Sequence, residues 1–207
     1  RKLLCPFQYF GITDSVDLSH VEWHKGRYLP SELSKLYTQN DKRVGDIIKN
    51  LHKYLKSVDD VRALCFCVTQ EHAQYMAEKF TFAGFKADYL VANRNEVRED
   101  LRSKLRSKTI NYLFVVDIFN EGVDIPEIDT VLFLRPTESL TVFLQQLGRG
   151  LRLAEDKDCL TVLDFVGNSR PEYDFEGKFR ALVGKTNISM GKEVEDDFPH
   201  LPLGCSI

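Results

Sequence analysis

The 207-residue sequence has no surplus of positive charge: 28 Lys and Arg stand against 31 Asp and Glu, a net −3, with a pI near 6.0. Binding nucleic acid by bulk electrostatics usually shows as a strongly basic domain, so any such contact here has to be local. No apolar run approaches the roughly 20 residues that a helix needs to cross a bilayer. No charged, apolar, small-residue leader opens the chain either, and a cytoplasmic protein with no membrane partner is expected. The five cysteines, Cys5, Cys65, Cys67, Cys159 and Cys205, are odd in number and irregular in spacing, which suits reduced thiols better than a disulfide framework. Cys65 and Cys67 alternate within a strand-like run and should pack on one face as small apolar groups. A metal there would need further ligands, and His72 is the only candidate nearby. His20 and His24, four apart with no third ligand, read as a surface pair. Neither a G-x-x-x-x-G-K-[ST] phosphate loop nor a D-E-x-[HD] magnesium box occurs. The first residue is Arg1 rather than methionine, which suggests a piece of a longer protein.

What is present is ample for a sizeable core, with 43% hydrophobic residues. The first 29 residues show no sustained period and read as irregular structure or an edge strand. Pro30 to Tyr37 carries a helix signal with Ser31 as its cap, and Asp41 opens a second helix. Val44, Ile47, Ile48, Leu51 and Leu55 fall on one face of that helix, with Lys42, Arg43, Lys49 and Lys53 elsewhere. Continuous apolar strands are then expected at 61–68, 85–91, 110–116, 131–134 and 159–166. Helices are expected at 70–82, around Val97, Leu101 and Leu105, and at 140–147. This alternation implies an α/β fold with a mostly parallel sheet covered on both faces. The tail beyond Gly167 has room for one helix near 175–183, then an acidic run, Glu193 to Asp197, and two prolines. The chain thus divides into three segments: 1–57, a connecting segment with an amphipathic helix; 58–170, the sheet domain; and 171–207, a helix and acidic connection.

Two stretches carry chemistry. Gln145-Gln146-Leu147-Gly148-Arg149-Gly150-Leu151-Arg152 sets two guanidiniums three residues apart. On a helix they share one face and can converge on one anion, held bidentately as lysine cannot. Upstream, Phe114-Val115-Val116 leads into Asp117-Ile118-Phe119-Asn120-Glu121-Gly122-Val123-Asp124-Ile125-Pro126. Gly122 permits close backbone approach, and Asp124 can accept hydrogen bonds from ribose hydroxyls or close an Asx-type turn. A strand should deliver this loop to the carboxyl-end crest, where open α/β sheets bind ligands.

In order and spacing, these stretches resemble motifs V and VI of the superfamily 2 helicases and translocases. The match is complete at Glu121, Gly122, Asp124 and Pro126, and again at Gln145, Gly148, Arg149 and Arg152. The chain is thus identified as similar to the second, C-terminal RecA-like domain of such motors, a three-layer sandwich, with the resemblance covering about 61–166. Its spelling looks closer to bacterial repair and type I or III restriction motors than to DEAD-box RNA helicases, which usually carry histidine where Gln145 stands.

The resemblance implies roles. Arg149 and Arg152 would be arginine fingers on the transferring γ-phosphoryl group. Gln145 would link nucleotide state to domain motion, and Glu121, Gly122 and Asp124 would shape the contact to the nucleotide sugar. Thr69, where a strand gives way to a helix in a motif IV-like region, would receive a nucleic-acid phosphate on its hydroxyl and the free helix amides. His72 reads as a cap or packing residue beside it, while Arg94 and Arg98 are further phosphate candidates. Several relatives carry threonine where Val116 stands, so that phosphate contact is missing here or supplied elsewhere.

ATP and magnesium are the implied cofactors. With neither phosphate loop nor magnesium box, they would be held mainly by a preceding RecA-like domain of the same parent chain. The implied partner is nucleic acid, DNA before RNA. Alternatives are a duplex translocase that does not separate strands, a RecA-like module that only binds, and a flavodoxin-like domain. The last would need a phosphate-cradling loop after the first strand, and Thr69-Gln70-Glu71-His72 lacks the glycines for one.

Overall fold

The computed structural model describes residues 5–24, 26–90, 95–116, 125–136, 148, 151–154 and 157–168. In the tail it describes Arg180, Leu182, Val183, Ser189, Lys192, Glu195, Leu201 and 205–207; for 95–98 and Asn168 the backbone alone is described. Six strands form one sheet: β1 (Phe7–Asp17), β4 (Ala63–Phe66), β5 (Ala87–Tyr89), β6 (Tyr112–Val115), β7 (Thr130–Phe133) and β8 (Leu160–Asn168). Their order is β1-β8-β7-β4-β6-β5, and each ladder is parallel. β2 (Trp23–His24) and β3 (Arg27–Tyr28) form a separate antiparallel hairpin. No described helix is long and apolar enough to cross a membrane.

The sheet is parallel because its strands are apolar on both faces, and alternation sends successive residues to opposite cores. Leu64, Phe66, Leu113, Val115, Val131 and Phe133 point to one side, where Leu101 and Leu105 of α4 (Asn95–Arg106) cover them. Cys65, Tyr112, Phe114, Leu132 and Leu163 point to the other. There Val44, Ile47 and Leu51 of α2 (Asp41–Tyr54) join Ala73, Met76 and Phe80 of α3 (Gln70–Phe82). Helices on both faces of a parallel sheet are the three-layer RecA-like arrangement. Burial pushes the Cys65 and Cys67 thiols well above the ordinary range, as expected of packed apolar groups.

Two local expectations need correction. Ser31 does not cap α1 (Pro30–Thr38): Leu29 occupies the N-cap, no side chain bonds there, and Pro30 opens the helix with its fixed φ and no N–H to satisfy. In α2 the cap is Asn40, whose side chain accepts the Arg43 N–H at 3.0 Å. Arg43 does not join Lys42, Lys49 and Lys53 on the solvent side of α2; it is 1% exposed. It is drawn inward by Asp14 of β1, whose carboxylate takes the Nε–H at 2.6 Å. The opening segment is the edge strand β1, running beside β8 from Phe7↔Leu160 to Thr13↔Val166. Ser206 bridges to Gln8 on the other side of β1. Arg180, Leu182 and Val183 are helical, within the stretch where one more helix is expected. The rest of that stretch and the helix expected at 140–147 lie outside the described residues.

Candidate functional site

At the carboxyl ends of the strands, β4 leads through Cys67 and Val68 to Thr69, the N-cap of α3. A hydroxyl fits here because the first amides of a helix lack backbone partners. Thr69 Oγ1 accepts the His72 N–H at 3.2 Å and lies 2.6 Å from Ser34 Oγ of α1. His72 is fully buried: its Nδ1 accepts the Val68 N–H at 3.2 Å, and its ring centroid lies 5.1 Å from that of Tyr37. Burial, with the Arg43 and Arg135 charges adding to it, pulls the imidazole well below its usual range. His72 is therefore a neutral brace for the Thr69 turn. Thr69→Val is expected to lose about 1 kcal/mol of domain stability and Thr69→Ser to retain it, read from urea midpoints. Equal midpoints for both variants would contradict the capping role.

Behind this turn runs a buried polar chain. Arg43 Nη2 donates to Leu134 O at 3.0 Å, and its guanidinium carbon lies 3.9 Å from the centroid of the Tyr37 ring. Asp14, which holds Arg43 Nε, also accepts the Val16 N–H at 3.1 Å. On the opposite face of the sheet, the Tyr9 hydroxyl donates to the Asp164 carboxylate, itself 1% exposed. Sequence reading missed Asp14, Arg43, Tyr9 and Asp164. A carboxylate amid apolar strand residues, as in Leu160-Thr161-Val162-Leu163-Asp164-Phe165, was the available signal, because such a group needs a buried partner.

The other end of the sheet gathers the ends of the two motif matches. Ile125 is fully buried in the α4-side core, and Ile128 N–H returns to Ile125 O at 3.2 Å just before β7. Gly148 is helical, and the chain turns at Leu151, whose N–H points to Gly148 O at 3.4 Å. Leu151 O accepts the Cys5 N–H at 2.9 Å ahead of β1. Lys157, ahead of β8, is 8% exposed and donates through Nζ to Pro126 O at 3.2 Å and to Arg152 O at 3.0 Å. Burial lowers its affinity for the proton, against the pull of Cys5 and Asp129. An open cleft of about 460 Å³ lies beside these groups, lined by Arg62, Arg106, Pro126, Glu127, Leu153 and Lys157.

Of the sequence-derived candidates, Thr69 therefore sits at the carboxyl ends of the strands. Arg152 is exposed and sits near the amino ends, joined to Pro126 through Lys157. Pro126 and Arg152, the last residues of the two motif matches, thus lie near the amino ends, while the loop from Asp117 to Asp124, which sequence reading set at the carboxyl-end crest, lies outside the described residues. A parallel crossover must carry the chain from the carboxyl end of β6 back to the amino end of β7. Glu121, Gly122, Asp124, Arg94, Gln145 and Arg149 lie outside the described residues, and Arg98 is seen in backbone only, within α4. The described residues contain no cluster of three His, Cys, Asp or Glu suited to a metal.

Known proteins resemble this chain along most of its length. IRC3 of Saccharomyces cerevisiae is 31% identical over 81% of this chain and 24% of its own. A 51.5 kDa protein of a Lactococcus phage is 29% identical over 98% of this chain and 46% of its own. The type I restriction enzyme EcoKI endonuclease subunit of Escherichia coli is 27% identical over 60% and 13%. The chain thus spans less than half the length of these relatives. Among solved structures, the yeast DEAD-box splicing factor Prp28 superposes with a TM-score of 0.60 at 16% identity, over 95% of this chain and 34% of that one. The E. coli DEAD-box protein SrmB gives 0.54 at 18% identity, over 81% and 79%. At such identities the superpositions speak for the fold alone. The family described as "Helicase conserved C-terminal domain" matches residues 46–154, from α2 through the cleft at Ala154, and the chain belongs to it.

Proposed function

We propose that the chain is the second motor domain of an ATP-dependent DNA helicase. In this reading Arg149 and Arg152 act on the γ-phosphoryl group, and Glu121, Gly122 and Asp124 on the nucleotide sugar. ATP and its magnesium are held mainly by a first RecA-like domain elsewhere in the parent protein. The observation that carries the reading is the shared Lys157 ammonium, which holds the last residue of the motif V match, Pro126, against the last of the motif VI match, Arg152. Two segments that sequence alone ties to one nucleotide end in one place. Magnesium fits a donor set supplied from outside, because this chain spells no phosphate loop and no D-E-x-[HD] box.

Thr69 and the amides of the α3 start receive a strand phosphate at the other end of the sheet, with Arg94 and Arg98 in support. Grip on the strand and attack on ATP are then separate contacts of one domain, so closing on nucleotide moves the grip. DNA is favoured over RNA by Gln145 in the motif VI match and by the relative that is a restriction-enzyme subunit. That relative also favours one second reading, a translocase that tracks along duplex without parting it. Strand-displacement assays on the full-length protein separate the two.

The purified 207-residue chain is expected to hydrolyse ATP at the background rate, with or without magnesium and DNA. Phosphoryl transfer rests on positioning and charge around the β- and γ-phosphates, and the cradle for them is on the other domain. Magnesium-dependent turnover by this chain alone, measured as phosphate release, would overturn the reading.

A further inference from the structure

We infer that Lys157 is a positioning residue for phosphoryl transfer: its ammonium staples the end of motif V to the end of motif VI and so sets where Arg152 stands. This inference rests on the nucleotide role proposed above for Arg152. Lys157 belongs to neither motif. It sits five residues beyond Arg152 and three ahead of β8, on a segment anchored by its own turn, Lys157 N–H to Ala154 O at 3.3 Å. From that anchor Nζ reaches Pro126 O at 3.2 Å and Arg152 O at 3.0 Å.

The two carbonyls come from chain segments 26 residues apart (152 − 126), and one ammonium serves both. Lysine suits this position because a compact point charge with three donors can serve two carbonyls at once, and neither carbonyl needs the planar fork of arginine. A carbon chain alone would fill the same space without fixing either oxygen.

Burial disfavours the charged form of Lys157, and the two carbonyls it serves are what hold the ammonium in place.

The test uses the full-length protein and single-stranded-DNA-stimulated ATP turnover. Lys157→Met is expected to keep the thermal midpoint near wild type and to lower kcat about 10- to 100-fold, the cost of misplacing a group that acts in the transition state. KM for ATP should stay within about threefold, because the staple does not itself hold nucleotide in the ground state. Lys157→Gln, which offers an uncharged amide to one carbonyl, should fall between, and it carries the comparison if the methionine variant folds poorly. Because Lys157 acts through Arg152, the double variant Arg152→Ala, Lys157→Met should be about as slow as Arg152→Ala alone. Wild-type kcat in Lys157→Met, or a full additive loss in the double variant, would overturn the staple while leaving Arg152 its role. Wild-type turnover in Arg152→Ala would instead sink the nucleotide reading, and the staple with it.

Discussion

Arg149→Ala and Arg152→Ala in the full-length protein are each expected to cut nucleic-acid-stimulated ATP turnover by about 10³ to 10⁵, while ATP binding changes little. The asymmetry arises from where the charge is needed. As the γ-phosphoryl group transfers, negative charge spreads over its equatorial oxygens, and a guanidinium aimed at that position binds the transition state better than the substrate. The expected loss corresponds to about 4 to 7 kcal/mol of barrier. Lysine at either position keeps the charge but loses the planar fork, so Arg152→Lys should recover only part of the rate. Single-turnover rates with saturating ATP, beside equilibrium binding of a fluorescent ATP analogue, give the two numbers separately. Turnover within about threefold of wild type in both alanine variants would make the arginines structural.

A loss of rate with ATP binding also lost would point elsewhere: to a collapse of the segment around Leu151, which packs against the α4-side core and whose carbonyl takes the Cys5 N–H. Arg152 itself is exposed, and Arg152→Ala should leave the thermal midpoint near wild type.

The sheet could be read from sequence because its signal is local. A four-residue apolar strand such as Ala63–Phe66 is buried on both faces, and α3, from its Thr69 cap to Gly84 at φ +93°, carries both of its boundaries in its own residues. The motif residues were equally legible, since E-G-x-D-x-P and Q-x-x-G-R-x-x-R are spelled in contiguous chain. What could not be read depends on distant partners. Arg43 looks like any other cation on a helix until Asp14, 29 positions away, is placed beneath it. Lys157 stands in Ala154-Glu155-Asp156-Lys157-Asp158, which has the composition of a solvated turn; only its place between Pro126 and Arg152 distinguishes it. The strand β1 was legible only as one of two readings for a related reason: it is an edge strand with a half-exposed alternation, and its register is set by β8, more than 140 residues on.

The same distance effect gives the largest stability prediction. Asp14→Ala is expected to destabilise the chain by about 3 to 5 kcal/mol, because it leaves the Arg43 guanidinium buried beside Leu134 O with no counter-charge. Against a typical total of roughly 5 to 15 kcal/mol, that is a large share, and a fall of about 6 to 20 °C in thermal midpoint should accompany it. Both side chains are nearly sealed from solvent, at 2% and 3% exposure for Arg43 and Asp14. Raising salt should therefore weaken the wild-type pair far less than it would a surface pair. The control is Asp14→Leu with Arg43→Met, which removes both charges and fills the volume. It should recover most of the loss, short of the contact between the Arg43 guanidinium and the Tyr37 ring, which is worth about 1 to 2 kcal/mol when desolvated. If Asp14→Ala were to shift the urea midpoint no more than an exposed substitution does, Arg43 must find water in the variant, and the α2–β1 contact is looser than its 2.6 Å ion pair implies.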